Sequence, residues 1–361
     1  HVVALGSWDS CKQRGRVLGG MVCEGGRGKV SPVARSGMKI TWLSPWGDGW
    51  SMAHRLRQQG HKVVYRDFSG HGNGAGFLPS VSNAEWLNYA LRSDLVIVDA
   101  NFPSRRTRRS WAPSDEVVAL GAVRKAGIIY VGPVPTTELI ENDPRYQRKT
   151  LNRVGLAHGT EGLPVTLTCD TMGHASLLLR HRYLVSEGNG PEVGNLADII
   201  FPLASGTVLA QSLGKLAPFM ETVKHAGSWG MDLCVSREKV LVSRLHTSFL
   251  YPAVLAQFGT NATSNVLGLV VTLCQLTPAS PQMLDGVTDL PHFFGAEIHR
   301  GDLGIEAHGP ILGACVGYDT SWNPLSQKVE HQLRSLLKPG WGFRERLSCE
   351  PLIQLTEWGY L

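Results

Sequence analysis

Four short runs of apolar and β-branched residues, Lys39–Ser44, Lys62–Asp67, 95–100 and 128–132, recur in the first third of the chain, with helical periodicity between them. The 50–59 segment carries apolar residues at helical spacing and stops at Gly60, a residue suited to the left-handed turn that ends helices. Ser82-Asn-Ala-Glu85 has the spacing of a capping box ahead of Trp86, Tyr89 and Leu91, and a third helix is expected between Ser114 and Gly127. Strands alternating with helices make parallel sheets with right-handed crossovers, so residues 38–135 are expected to form an open doubly wound α/β domain. Ligands of such a domain sit beyond the carboxyl ends of its strands.

After Pro133 the pattern changes. A basic helix is expected over 136–154, then alternating strands to about Phe201, then a helix over 209–225 with Leu213, Leu216, Met220 and Val223 on one face and a kink at Pro218. Segments 230–236 and 239–245, joined by Arg237-Glu238, predict a hairpin. Residues 295–317 alternate like a strand, and Asn323-Pro324 is expected to open a helix that buries Leu325, Val329, Leu333 and Leu336 and ends by Gly340. The expected division is a leader over 1–37, the doubly wound domain over 38–135, and an α+β core in two parts, 136–260 and 261–361. Met38, directly before the first strand, is read as the native start.

With 361 residues, 43% hydrophobic and 18% charged, the chain can bury a sizeable core. The net charge of +5 is modest and gathers locally at Arg105, Arg106, Arg108 and Arg109, which reads as a solvated loop, so no specific nucleic-acid partner is expected. Seven cysteines, odd in number and never in a C-x-x-C arrangement, argue for reduced thiols in a cytoplasmic protein and against structural zinc. No apolar run is long enough to span a bilayer, no signal-peptide pattern opens the chain, and the Asn261-Ala-Thr263 sequon is read as chance. Oligomeric state is left open.

The most informative chemistry lies at Pro45-Trp-Gly-Asp-Gly49, between the first strand and the first helix. Two glycines allow close backbone approach, and a helix amino terminus favours an anion, so Gly47, Asp48, Gly49 and Ser51 are candidates to hold a phosphate or nucleotide. The plainer reading is a tight strand-to-helix turn. Gly47-x-Gly49-x-x-x-Ala53 also resembles a dinucleotide fingerprint, with Asp67 placed for a ribose hydroxyl, which keeps an NAD(P)-dependent oxidoreductase as an alternative.

Several motifs taken in order resemble the ATP-grasp ligases, specifically phosphoribosylamine–glycine ligase and its divergent phage-type relatives. They are Gly47-Asp-Gly49-x-Ser-x-Ala-His-Arg-Leu56, Ser93-Asp-Leu-Val-Ile-Val98 and Lys125-Ala-Gly-Ile-Ile-Tyr-Val-Gly-Pro133 leading to Glu141, Tyr146 and Lys149. Lys215-Leu-Ala-Pro-Phe219, Trp229-Gly-Met-Asp-Leu-Cys234, Gly313-Ala-Cys-Val-Gly-Tyr318 and Glu357-Trp-Gly-Tyr-Leu361 continue the series. The resemblance implies ATP and Mg²⁺ as cofactors and formation of an acyl phosphate that an amine attacks. It places Gly132, Pro133 and Lys149 near the substrate and domain junction, and Gly190, Pro191, Gly194 and Asp232 near the nucleotide.

The sequence departs from that family in three places. Glu192 and Val193 replace a polar pair in the glycine-rich loop. Arg244-Leu-His246 stands where the family carries its metal-binding carboxylate and amide, and arginine cannot ligate Mg²⁺. Between Lys149 and Pro191 the chain is too short for the lid subdomain. These departures lead to an expectation of impaired or lost phosphoryl transfer, with a non-catalytic phosphate- or nucleotide-binding protein on the same scaffold as the alternative.

Overall fold

The computed structural model describes residues 37–106, 111–170, 173–182, 195–256, 266–275, 284–288, 290, 292–307, 309–345 and 347–361. Residues 1–36 of the expected leader, Gly190, Pro191, Glu192, Val193, Gly194, Arg108, Arg109 and the Asn261 sequon lie outside them.

The first sheet is parallel and four-stranded, in the order β2-β1-β3-β6, from β1 (Lys39–Ser44), β2 (Lys62–Asp67), β3 (Leu95–Val98) and β6 (Ile129–Val131). The two-residue strands β4 (Arg105–Arg106) and β5 (Trp111–Ala112) pair apart from it. Alternation within β1 sends Ile40 and Trp42 into one core and Leu43 into another. Helix α1 (Trp50–Gln58) contributes Met52, Ala53 and Leu56 to the first. Helices α2 (Trp86–Ala90) and α3 (Asp115–Lys125) fill the second with Trp86, Val117, Leu120 and Val123. Helices thus cover both faces, as doubly wound sheets require. Ser114 caps α3 by accepting from the Val117 N–H at 3.2 Å.

The basic helix expected over 136–154 is two helices, α4 (Pro135–Asn142) and α5 (Pro144–Arg153). Pro144 disfavours helical geometry at the residue before it, and Asp143, extended at φ −107° and ψ 106°, instead caps α5 through the Arg145 N–H.

A larger antiparallel sheet follows, in the order β11-β10-β7-β8-β9-β12-β16-β13, with β17 against β12. Its strands are β7 (Leu163–Cys169), β8 (Ala175–Arg182), β9 (Asn195–Pro202), β10 (Trp229–Val235), β11 (Val240–His246), β12 (Leu267–Gln275), β13 (Phe293–Gly295), β16 (Ile311–Asp319) and β17 (Trp341–Phe343). The expected hairpin is β10 and β11. The single alternating segment expected over 295–317 is instead the end of β13, a small hairpin of β14 (Ile298–Gly301) and β15 (Gly304–Ala307), and β16.

Register sorts this sheet into two chemically different faces. Leu245, Met231, Leu167, Leu177 and Phe201 oppose one another in one row, all apolar. The opposite face carries Arg244, Asp232 and Thr166 in one row, Thr168 and Ser176 in the next, and Arg180 opposite Asp198. Helix α6 (Val208–Thr222) packs on β7, and α7 (Trp322–Leu336) on β12 and β16. Ser321 caps α7, two residues ahead of the expected Asn323, and α8 (Glu350–Glu357) closes the described chain.

The polar face looks toward the first sheet, and the join is specific. The Phe249 N–H donates to the Asp99 carbonyl at 2.9 Å, while Asn101 donates to Thr247 Oγ1 at 2.8 Å and to Glu141 Oε2 at 2.5 Å. Trp50, buried in α1, stacks on Phe77 and donates Nε1–H to the Ala296 carbonyl at 2.6 Å. A Cβ at Gly49 would overlap Asp99 Oδ2 and Trp42 Nε1. Gly49→Ala is therefore expected to lower stability by about 1–3 kcal/mol, measurable by urea denaturation, and an unchanged midpoint would refute this packing role.

Candidate ligand site between the two sheets

Gly47, at φ +80°, adopts a conformation that other residues rarely reach, and this turns the chain from β1 into α1. Asp48 is thereby raised to the mouth between the sheets and Ser51 is buried on the first turn of α1. Gly49 permits contact with Trp42 and Asp99 beneath the turn, which is the tight-turn role weighed against the anion-site role from sequence.

Three carboxylates gather here. Asp67 Oδ1 accepts from the Ser69 N–H at 2.7 Å and the Ser69 hydroxyl at 2.6 Å, and Oδ2 from the Gly72 N–H at 3.0 Å. Both oxygens are thus engaged by the glycine-rich loop that follows β2, so Asp67 does not stand ready for the ribose hydroxyl that the dinucleotide reading needs. Asp99 is buried and accepts from Trp42 Nε1–H at 2.8 Å. Burial pushes its pKa up to about 7; Trp42 and Ser44 pull against this, while Asp48 and Asp67 add to it. Asp48 is open to solvent on one side but walled by protein, and that loss of solvation, with Glu297 and Asp67 nearby, raises it to about 6 despite His71.

Asp48 and Ser51 line a cavity of about 220 Å³ whose other walls come from the second sheet and its connections, including Tyr251, Thr272 and Phe294. The positive end of α1, expected to attract a phosphate, opens beside Asp48, with Asp67 and Glu297 close enough to act on its charge and Asp99 buried beneath the turn. These carboxylates oppose an anion there.

On the polar face of the large sheet, Asp232 accepts from Thr166 Oγ1–H at 2.6 Å, and His246 Nε2 lies 2.8 Å from its second oxygen. Burial works against ionisation of Asp232, but His246, Thr166 and Arg180 outweigh it and hold the pKa down to about 2. Arg244 is exposed opposite Asp232. Arg180 Nε donates to Asp198 Oδ1 at 3.0 Å, and its Nη2 to the Tyr251 carbonyl at 3.1 Å, linking this face to the cavity wall. A Mg²⁺ ion needs several hard oxygens. Asp232 is already held by His246 and Thr166, and among the described residues no group of three His, Cys, Asp or Glu side chains could hold a metal ion. Where the family resemblance would place the ion, Arg244 stands as a cation and Asp232 is engaged by His246 and Thr166, so neither offers an unengaged carboxylate to Mg²⁺.

The remaining sequence candidates fall elsewhere. Gly132, at φ +151°, presses against Val98 and donates its N–H to the Ala226 carbonyl at 2.7 Å, and the Pro133 carbonyl accepts from the Tyr130 hydroxyl, so both lie at the junction as structural residues. Lys149 is exposed on α5 and does not line the cavity. Arg105 and Arg106 are exposed, the first paired with Asp115 and the second 5.9 Å from the Trp111 ring centre. Cys169, Cys234, Cys274 and Cys315 are buried free thiols, Cys349 is half-buried, and no helix among the described residues is long and apolar enough to cross a membrane.

Sequence reading missed Arg180, Asp198, Tyr251 and Glu297. Asp198 had a signal, being a lone carboxylate within the apolar run of β9, where burial demands a partner. The partner could not be named, because it depends on strand register.

No described protein family matches the sequence, and no curated protein does. Solved structures do match in shape. Phosphoribosylamine–glycine ligase from Thermotoga maritima aligns with a TM-score of 0.56 at 11% identity, covering 84% of this chain and 97% of that one. The biotin carboxylase domain of a single-chain bacterial carboxylase aligns at 0.51 and 11% identity, covering 84% and 91%. N5-carboxyaminoimidazole ribonucleotide synthetase from Thermus thermophilus aligns at 0.50 and 11% identity, covering 84% and 100%. The chain has the ATP-grasp fold, with a parallel sheet followed by an antiparallel one.

Proposed function

We propose that this chain is a divergent derivative of the ATP-grasp carboxylate–amine ligases that binds a small molecule between its two sheets and no longer transfers phosphate. One observation carries the reading. Asp232, the carboxylate on the sheet face that the resemblance assigns to metal and nucleotide, is engaged by His246 and Thr166, with Arg244 directly opposite. Phosphoryl transfer depends almost wholly on positioning and on offsetting phosphate charge, and among the described residues the two carboxylates of this face, Asp232 and Asp198, are already engaged by His246 and by Arg180.

The connection after α5 adds support. From Val154 to Asn195, the described residues supply β7 and β8, both within the large sheet, and no separate lid among them. Among the described residues of this connection, none forms a closing subdomain that would exclude water. The cavity beside Asp48 persists as the place for a ligand.

Purified protein given ATP, Mg²⁺, glycine and a panel of amines, ammonia included, is expected to release no ADP above the enzyme-free blank. Arg244→Glu combined with His246→Asn is expected to be equally silent, since restoring donors restores no lid. Steady ADP release by the native chain that depends on an added amine would overturn the proposal.

A further inference from the structure

We infer that the cavity between α1 and the large sheet takes a compact organic ammonium, held by the Asp48 carboxylate and the Ser51 hydroxyl against the rings of Tyr251 and Phe294. This deepens the binding half of the proposed function and stands whether or not the chain transfers phosphate.

Ser51 supplies the first argument. It is 5% exposed, it lines the cavity, and among the described residues its hydroxyl makes no hydrogen bond. A hydroxyl on the wall of an open volume with no partner in the described chain is available to accept from a ligand there. An ammonium carries three donors and no acceptor, which suits a hydroxyl oxygen on one side and a carboxylate on the other.

The walls give the second argument. Tyr251 and Phe294 place aromatic rings around the same volume, and aromatic rings beside a carboxylate are the surroundings that favour organic cations. Phe294 already attracts one cation, with the Arg55 guanidinium 5.3 Å from its ring centre, and the Tyr251 hydroxyl points to Met52 Sδ at 3.4 Å. At about 220 Å³ the cavity falls below the roughly 300–1,000 Å³ of drug-sized sites, so the guest is small.

Charge sets the sign. The groups that act on Asp48 are Glu297 from the turn after β13, Asp67 from the end of β2 and His71 from the loop beyond it; Asp99 below, and the Tyr65 and Tyr251 phenols, feel Asp48 in turn. Glu297, Asp67 and Asp99 are acids, which repel a phosphate and attract a cation when ionised; His71 opposes them at Asp48, and the Arg55 guanidinium opposes them from the Phe294 side of the cavity. Because Asp48 titrates near pH 6, cation binding should weaken below that pH by up to about tenfold per unit.

The test uses calorimetric titration of the full chain with 3-methylbutylammonium, the neutral 3-methylbutan-1-ol and inorganic phosphate. The ammonium is expected to bind about tenfold or more tightly than the alcohol, with no competition from phosphate. Asp48→Asn should erase that preference without lowering the melting temperature, since no hydrogen bond within the described chain depends on the Asp48 side chain and loss of a carboxylate whose pKa is raised to about 6 favours the folded chain above that pH. Ser51→Ala provides a second variant and should weaken the ammonium alone. Tighter binding of phosphate, equal binding of alcohol and ammonium, an unaffected Asp48→Asn variant, or no saturable binding of any probe would each overturn the inference. None of these outcomes bears on the ADP assay, so the two proposals fail separately.

Discussion

Replacing Arg180 with methionine lowers the unfolding free energy by about 3–5 kcal/mol, the usual loss when one member of a buried ion pair is removed. Asp198 is fully buried, and burial raises its pKa even with Arg180 beside it, so the pair holds a carboxylate that the interior resists. Without the guanidinium, that carboxyl must either stay charged with a large desolvation cost or take up a proton. The loss should therefore be greater at pH 8 than at pH 5, where protonation is easier. Arg180 also donates to the Tyr251 carbonyl, so the cavity wall loosens with the pair. The double replacement Arg180→Met with Asp198→Leu should recover most of the stability, because a matched apolar pair leaves no uncompensated charge. Urea denaturation of the three proteins decides it, and a single-variant loss below about 1 kcal/mol would show that the pair behaves like an exposed one.

Much of the architecture was legible where the signal was local. The four parallel strands follow from short apolar runs separated by helical periods, and α1 follows from its turn and its terminal glycine. The break at Asp143-Pro144 was also written locally, yet helical spacing on both sides concealed it. The 295–317 region misled because β13, the small hairpin and β16 share one alternation, and only pairing distinguishes them.

The turn between β1 and α1 was legible in position, but the charges that gather around it were not. Gly47, Asp48, Gly49 and Ser51 lie between β1 and the first turn of α1, as the strand-turn-helix pattern placed them, and of the four Asp48 and Ser51 line the cavity. The pattern favoured an anion because it weighed the helix end alone. It could not weigh Asp99, which follows a different strand, or Glu297, about 250 positions away in sequence but brought near Asp48 by the fold. The polar face of the large sheet was hidden for the same reason. Thr166, Asp232 and Arg244 become one row only through register, and a one-residue slip would send them into the apolar core.

Asp99→Asn is expected to make the protein more stable above pH 7, by about 1–3 kcal/mol. The sign follows from linkage. A carboxyl whose pKa is about 7 in the folded chain and 3.8 in the unfolded one binds its proton more tightly when folded. Its contribution is complete below the unfolded value and is lost as pH rises toward 7, with an upper bound of about 4 kcal/mol at 1.36 kcal/mol per pH unit. An amide keeps an oxygen for the Trp42 Nε1–H and carries no charge, so it escapes that loss; its NH₂ group, set near the Ser44 hydroxyl and Gly49, returns part of the gain. Melting temperatures of the two proteins should therefore converge near pH 4.5 and separate progressively to pH 8.5, with the variant higher. A constant difference across that range would mean that Asp99 does not titrate where its burial, and its neighbours Asp48 and Asp67, place it.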